Sequence, residues 1–306
     1  MKVLITGGAG FIGSHLVRRL LANGDEPVSV DNLSTGLREN LPEEARLIVM
    51  DVHDAEFLPF CRKEQFDAAV HLAGQTMVNS SIDDPMNDAK ENILGGIRVL
   101  EAAKCSGMKR IVFASTAAAY GDVAEDDLPV RESQKLCPMS FYGLSKVTME
   151  HYLKLYHEIC GLEYVILRFA NVFGERQGDG GEGGVISIFT KRIAEGKDIT
   201  IYGDGEQTRD FVYAGDIASG IDAALHTKNT NAVYNLSTRT ETSIRQLVTH
   251  LSHIAGRRIV PNYAAPRQGD IYRSMLDNLR AFRGLGWKPE TGLEEALRRT
   301  YEHFTK

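Results

Sequence analysis

Cysteine is scarce in this chain. Cys61, Cys105, Cys137 and Cys160 are the only four among 306 residues, and none shares a CxxC pair or metal-ligand spacing with another. A disulfide scaffold and a zinc ribbon are excluded, and reduced, mostly structural thiols are expected. No apolar run approaches the ~18–20 residues that span a bilayer. Positive charge is also short: 35 Lys and Arg stand against 41 Asp and Glu, a net charge of −6. That is not the footprint of a nucleic-acid or membrane-surface binder. Residues 1–6 run straight into a strand pattern, so no secretory leader is expected and a cytoplasmic location follows.

What the chain does have is core-forming material. Hydrophobic residues make up 43% and charged residues 25%, which excludes disorder, collagen-like sequence and coiled coil. Short apolar runs predict strands at residues 2–6, 27–30, 46–50, 67–71, 110–114 and 164–168. Helical patterns occupy 11–23, 84–106 and 140–160. Strands without a polar face belong in a parallel sheet covered on both sides, and their alternation with helices predicts a doubly wound, Rossmann-like α/β fold. After residue 171 the texture changes. Residues 178–184 hold five glycines, read as a mobile loop; helices are predicted near 185–195 and 215–225, with a hairpin-like run at 199–205 between them. Residues 232–236 read as a strand returning to the sheet. The expected division is therefore 1–170, with that returning strand, and a smaller interleaved part, 171–306.

The first strand ends in Gly7-Gly8-Ala9-Gly10-Phe11-Ile12-Gly13, which satisfies both GxxGxxG and GxGxxG. Glycines at this strand–helix turn let backbone N–H groups approach a pyrophosphate at the helix N-terminus. Asp31 closes the second strand, where a carboxylate accepts hydrogen bonds from the ribose hydroxyls of an adenosine. An acid there repels a 2′-phosphate, which favours NAD over NADP. Asp51-Val52 follows the third strand, on the side where the adenine would lie. Glycine turns, strand-end acids and Asx-turns also occur in purely structural roles; their conjunction carries the reading.

Tyr142 and Lys146 stand four residues apart, on one face of a helix. A tyrosine titrating near 10 serves as a base at neutral pH only if its phenolate is favoured by about 4 kcal/mol. A neighbouring ammonium and a positive nicotinamide ring together supply that. Ser115 and Thr116 follow the fifth strand and put hydroxyls where a reacting substrate oxygen would sit. A buried tyrosine beside a solvated lysine is the alternative reading of the pair.

The segments TGGAGFIGSHL, VDNLSTG, HLAG, ASTAAAYG, YGLSK, RFANVFG, GDGEQTRDFVY and PRQGD resemble the extended short-chain dehydrogenase/reductase family over nearly the whole chain. Within it they resemble most the NAD-dependent UDP-glucose 4-epimerases. The resemblance implies that Gly7, Gly10, Phe11, Ile12 and Gly13 meet the pyrophosphate of NAD, and that Asp31, Asn32, Ser34, Thr35 and Gly36 surround the adenosine ribose. Asp51 and Val52 would flank the adenine. Leu72, Ala73, Gly74 and Gln75, with Asn92, Ser115 and Ala170, would line the rest of the cofactor. Thr116, Tyr142 and Lys146 match the catalytic set. Asn171, Arg209 and Arg267 match contacts to a substrate diphosphate and Asp270 a ribose contact; Val185, Ile201 and Tyr202 complete the substrate side. An arginine fork suits phosphate oxygens. The long helices 84–106 and 140–160 match those that pair such chains into homodimers.

The implied reaction is reversible epimerisation at C4 of a UDP-hexose through a 4-keto sugar. Ala117 and Ala118 stand where dehydratases carry Asp-Glu and decarboxylases a glutamate, which disfavours both. Thr76 replaces a lysine of some epimerases, and Glu175 stands where proline is common. Ser274, four residues after Asp270, matches a place where glucose-restricted epimerases often carry tyrosine. A serine leaves room for an acetamido group, so UDP-N-acetylglucosamine is the alternative substrate. A nucleotide-sugar reductase would consume NADH stoichiometrically, and a non-catalytic dinucleotide sensor would lack the tyrosine–lysine pair.

Overall fold

Extended segments that are apolar on both faces are stable only in a sheet covered on either side. In the computed structural model, which describes residues 1–178, 184–266 and 271–305, seven strands meet that requirement. They are β1 (Lys2–Thr6), β2 (Glu26–Asp31), β3 (Arg46–Val49), β4 (Ala68–His71), β5 (Arg110–Thr116), β6 (Glu163–Phe169) and β7 (Ala232–Leu236). Every neighbouring pair is parallel, in the order β7-β6-β5-β4-β1-β2-β3. The expected doubly wound sheet is present, with its returning strand at the edge beside β6. The order reverses between β1 and β4, which opens a crevice at their carboxyl ends. β3 differs from expectation: it is the other edge of the sheet, so Arg46 and Val49 are exposed rather than covered.

Alternate side chains of each strand enter opposite cores. Val3, Ile5, Val70 and Val112 pack with Leu16, Val17 and Ile217 under helices Phe11–Ala22 and Ala214–His226. Leu4, Val28, Ile111 and Phe113 pack with Phe57, Leu100 and Met149 under the helices of the opposite face. A third cluster, around Phe189, Phe211 and Leu247, lies under the C-terminal helices.

Three other expectations are corrected. The helix expected at 84–106 is segmented: Asp84 caps Pro85–Asp88, a π-helical turn covers Ala89–Leu94, and Gly95–Ser106 completes it. The run at 199–205 is not a hairpin. Thr200–Tyr202 pairs in parallel with Asn262–Ala264, a partner some sixty residues away that no local pattern announces. The thiols are not mostly structural: Cys61 is buried, which pushes it up to about 12, while Cys105, Cys137 and Cys160 are exposed and unpaired.

Helix Phe141–Cys160 begins at Ser140, whose hydroxyl accepts from Gly143 N–H, and ends at Gly161 with φ +74°. It is fixed to the sheet by a buried ion pair. Glu150 receives Arg168 Nε at 2.9 Å and Nη2 at 2.6 Å, and Ser115 Oγ donates to it at 2.6 Å. Arg168 Nη1 also reaches Tyr120 Oη, which donates to Asn235 Oδ1. Breaking one side of such a pair costs about 3–5 kcal/mol, whereas replacing both sides with apolar groups is often neutral. Arg168→Met is expected to lower stability by that amount in urea unfolding, and Arg168→Met/Glu150→Leu to recover more than half of it. A double variant no more stable than the single would contradict this assignment.

Candidate active site

The glycine turn sits in the crevice between β1 and β4. Gly7 has φ +74°, and a Cβ there would lie 2.8 Å from Ala73 N; one on Gly13 would lie 2.2 Å from Gly7 O. Both positions exclude side chains for steric reasons. Helix Phe11–Ala22 starts at Gly10 with no side-chain cap, so its first N–H groups face the crevice without an internal acceptor. Asp31 anchors the turn from β2: its Oδ2 accepts from Ala9 N–H at 2.9 Å and its Oδ1 from Leu33 N–H at 2.9 Å. Gly36 leaves the space beside this carboxylate, since a Cβ would stand 2.9 Å from both oxygens. Asn32 Nδ2 donates to Asp51 Oδ2 at 2.7 Å, which ties the loop of Ser34 and Thr35 to the end of β3. Burial works against the Asp51 carboxylate, but hydrogen bonds from His53 N–H and Asn32 hold it below its ordinary value. Val52 is buried beside it. Leu72 and Ala73 both donate N–H to Thr6 O, which brings the segment after β4 against the glycine turn.

Tyr142, Lys146 and Thr116 meet on the opposite wall. β5 is longer than its apolar run, because Ser115 and Thr116 pair with Arg168 and Phe169 of β6. Thr116 Oγ1 accepts from Ala118 N–H at 3.1 Å, which leaves its hydroxyl proton to donate into the site. Ser115 points the other way, its hydroxyl committed to Glu150. Tyr142 is half-buried within hydrogen-bonding reach of Thr116. Burial raises its phenol, partly offset by Thr116. Lys146 is buried, with Nζ 5.1 Å from the Phe113 ring centroid and 5.9 Å from that of Tyr142. Burial lowers it from 10.5 to about 8, roughly 3 kcal/mol against the ammonium. Among the described residues its Nζ makes no hydrogen bond, so the ammonium has donors to offer a ligand's hydroxyls.

Between these walls lies a buried acid, Asp88, that sequence patterns did not reveal. Asp88 Oδ1 accepts from Gln75 Nε2 and from Asn92 Nδ2, both at 3.0 Å. Asn92 Nδ2 also lies 3.0 Å from Gln75 O and from Ser145 Oγ, and its Oδ1 has no partner among the described residues. Gly74, with φ +149°, leaves room for that oxygen: a Cβ would lie 2.4 Å away. Asp88 stands four residues before Asn92, and Glu150 four after Lys146. Helical spacing from the residues already singled out would have pointed to both.

The substrate-side residues surround a second buried acid. Asp210 receives Thr238 N–H and Oγ1, Arg239 N–H and Leu276 N–H, and burial pushes it up to about 6. It thereby gathers Arg209, half-buried, and Asn171, whose N–H donates to Asp210 O. Ser274 lies on the same seam, two residues from Tyr272, whose carbonyl accepts from Thr208 N–H. Ala170 donates N–H to Leu236 O of β7. Val185 opens helix Val185–Ala194; Ile201 is buried and Tyr202 is 40% exposed. Glu175 accepts from Tyr213 Oη at 2.9 and 3.0 Å and stands beside His15, a link that proline could not make. Arg267, Asp270 and most of the glycine run at 178–184 lie outside the described residues.

A cradle closed to side chains, an uncapped helix N-terminus and, among the described residues, an unpaired buried ammonium and an orphaned amide oxygen fit a dinucleotide with ribose hydroxyls. Residues 3–237 match the NAD dependent epimerase/dehydratase family. The Thermotoga maritima UDP-glucose 4-epimerase, solved with UDP-glucose, is 40% identical and superposes with a TM-score of 0.95 over 99% of this chain and 98% of its own. The Thermus thermophilus UDP-glucose 4-epimerase, solved with NAD, is 40% identical with a TM-score of 0.91 over 99% of each chain. A UDP-N-acetylglucosamine 4-epimerase from Methanobrevibacter ruminantium, solved with UDP-N-acetylmuramic acid, is 35% identical with a TM-score of 0.94 over 99% of this chain and 97% of its own. The chain belongs to the NAD-dependent epimerase/dehydratase family, within the extended short-chain dehydrogenase/reductases.

Proposed function

We propose that this NAD-dependent nucleotide-sugar epimerase inverts C4 of a UDP-hexose, interconverting UDP-glucose and UDP-galactose. The observation that carries the reading is the Thr116–Tyr142–Lys146 constellation at the end of β5, with alanine at 117 and 118. Thr116 donates to the sugar's 4-oxygen, and Tyr142 takes the 4-hydroxyl proton. Lys146 offers its ammonium to ribose hydroxyls and favours the phenolate of Tyr142. When bound, NAD would supply the hydride acceptor, would return the same hydride in the second half of the cycle and, in its oxidised form, would add a positive charge. The resulting 4-keto sugar turns over in the pocket and is reduced on its other face, with Tyr142 returning the proton. Ala117 and Ala118 hold no titratable group to expel a hydroxyl, which favours epimerisation over dehydration.

Gly7, Gly10 to Gly13, Asp31 to Gly36, Asp51 and Val52 would hold NAD at its adenosine and pyrophosphate. Leu72 to Gln75, Asn92, Ala170 and the backbone of Ser115 would line its remaining length. Asn171, Arg209 and Arg267 would anchor the nucleotide diphosphate and Asp270 the ribose, with Val185, Ile201 and Tyr202 beside them. Residues 1–170 with 232–236 would thus serve the cofactor and 171–306 mainly the sugar nucleotide. A homodimer is supported by apolar side chains left exposed on adjoining elements, among them Ile82, Met86 and Leu94 on three successive helical segments and Phe141, Leu144 and Ile159 on helix Phe141–Cys160. Three exposed, unpaired cysteines accord with a reducing cytoplasm, and no helix among the described residues is long and apolar enough to cross a membrane.

Ser274 bears on the choice of sugar. It is half-buried, and a hydroxymethyl group leaves space beside C2 that a phenol would fill. Its hydroxyl adds about 0.5–1.5 kcal/mol if it bonds an acetamido oxygen. Incubation of purified protein with each sugar nucleotide, with no cofactor added, is expected to convert both UDP-glucose and UDP-N-acetylglucosamine. Ser274→Tyr is expected to lower kcat/KM for the acetamido sugar about tenfold relative to glucose. No isomer from any sugar nucleotide would contradict the reaction; an unchanged ratio would remove Ser274 from the selection.

A further inference from the structure

Lys146 is the most costly group in the site, an ammonium buried against the Phe113 ring with no hydrogen-bond acceptor among the described residues. The charged and titratable groups around it come from four elements. Tyr142 precedes it by one helical turn, and Thr116 reaches Tyr142 from β5. Glu150 follows by one turn but is spent on Arg168 and Ser115. His71, at the end of β4, is held neutral by burial and by Lys146, pushed down to about 3, with Nδ1 2.7 Å from Thr6 Oγ1. Asp88, from helix Pro85–Asp88, is the remaining acid, 1% exposed and hydrogen-bonded to Gln75, Asn92 and Ser145 rather than to any cation.

We propose that Asp88 is a positioning residue of the active site: its buried carboxylate holds the Gln75 and Asn92 side chains across the crevice and supplies the negative charge that balances Lys146. The inference rests on the reading of Tyr142 and Lys146 given above. Two observations favour a functional over a purely structural role. A carboxylate buried this deeply is normally paired with a cation in direct contact; Asp88 instead receives only neutral donors, the Ser145 hydroxyl and the Gln75 and Asn92 amides, and faces the ammonium through space. The helix also departs from α geometry immediately after it. The π-turn Ala89–Leu94 brings Asn92 back onto Asp88 and sets its unpartnered Oδ1 toward Gly74, and such turns recur at functional sites. Burial raises Asp88 above its ordinary value, opposed by its hydrogen bonds and by Lys146. Conversely, the charge on Asp88 raises both Lys146 and Tyr142.

The sign of the test follows. Neutralising Asp88 removes an influence that raises both groups, so Tyr142 ionises at lower pH and Lys146 also loses its proton at lower pH. Both limbs of the pH–rate profile for epimerisation are expected to move toward acid in Asp88→Asn, by half a pH unit or more. KM for the sugar nucleotide should stay within about threefold, because no diphosphate contact is touched. Asp88→Ser serves as a second neutral variant should the amide fail to fold, as judged by thermal melting. The ultraviolet phenolate titration of Tyr142, taken as the difference from Tyr142→Phe in each background, needs no turnover; its midpoint should fall in the Asp88 variant. If the wild-type protein epimerises no sugar nucleotide, the proposed reaction fails while this titration still decides the role of Asp88. A pH profile and a phenolate midpoint that stay in place, whatever the change in rate, would overturn the proposal.

Discussion

The ion pair between Glu150 and Arg168 is the constraint on which the rest of the site depends. It joins helix Phe141–Cys160 to β6 directly and to β5 through Ser115, so the helix can neither slide nor rotate without stranding a buried charge. Removing two ions from water costs several kcal/mol for each, and an apolar pair would hold the helix as firmly. What the ions add is register. Glu150 lies two turns from Tyr142 and one from Lys146, and its bidentate contact with Arg168 fixes both at the end of β5, where Thr116 lies. The Thr116 and Tyr142 hydroxyls therefore owe their spacing to a contact that touches neither of them.

Electrostatics then distributes the work unevenly. Burial raises the Tyr142 phenol and lowers Lys146 to about 8, so the folded chain opposes the charged form of both groups. Asp31 likewise accepts one hydrogen bond from Ala9 of the glycine turn and one from Leu33, and keeps lone pairs for a ligand. The site is shaped in advance and its charges are completed by what it binds. A cradle closed to side chains at Gly7, Gly13 and Gly36 has its shape before anything enters it.

Much of this was legible in the sequence where the controlling contact is local. The glycine turn follows from sterics within a dozen residues, and the Tyr142/Lys146 pair from helical spacing. The sheet follows from apolar runs alternating with helices, although β3 shows that a run of this kind also serves an exposed edge. Contacts between distant segments were not legible. Thr200–Tyr202 finds its partner at Asn262–Ala264, so its turn-like glycines suggested a hairpin. Ser115 read as a free hydroxyl because nothing nearby announces Glu150. The π-turn at Ala89–Leu94 interrupts a pattern that looks continuously helical, and with it went the signal for Asp88. Asp210 was hidden beside Arg209, whose chemistry is easier to recognise than that of an acid serving four backbone and hydroxyl donors.

The central claim is that Tyr142 transfers the proton while the remainder of the site binds and orients. Tyr142→Phe removes one oxygen and leaves the Glu150–Arg168 contact, Lys146 and the glycine cradle in place. Turnover of UDP-glucose by the purified variant, measured alongside its NAD content, is therefore the most direct test. The account predicts a protein that folds, retains NAD and loses epimerisation by at least about 10²-fold, the lower range for a general acid–base group. Turnover within a few-fold of the wild-type rate, with NAD still bound, would contradict it.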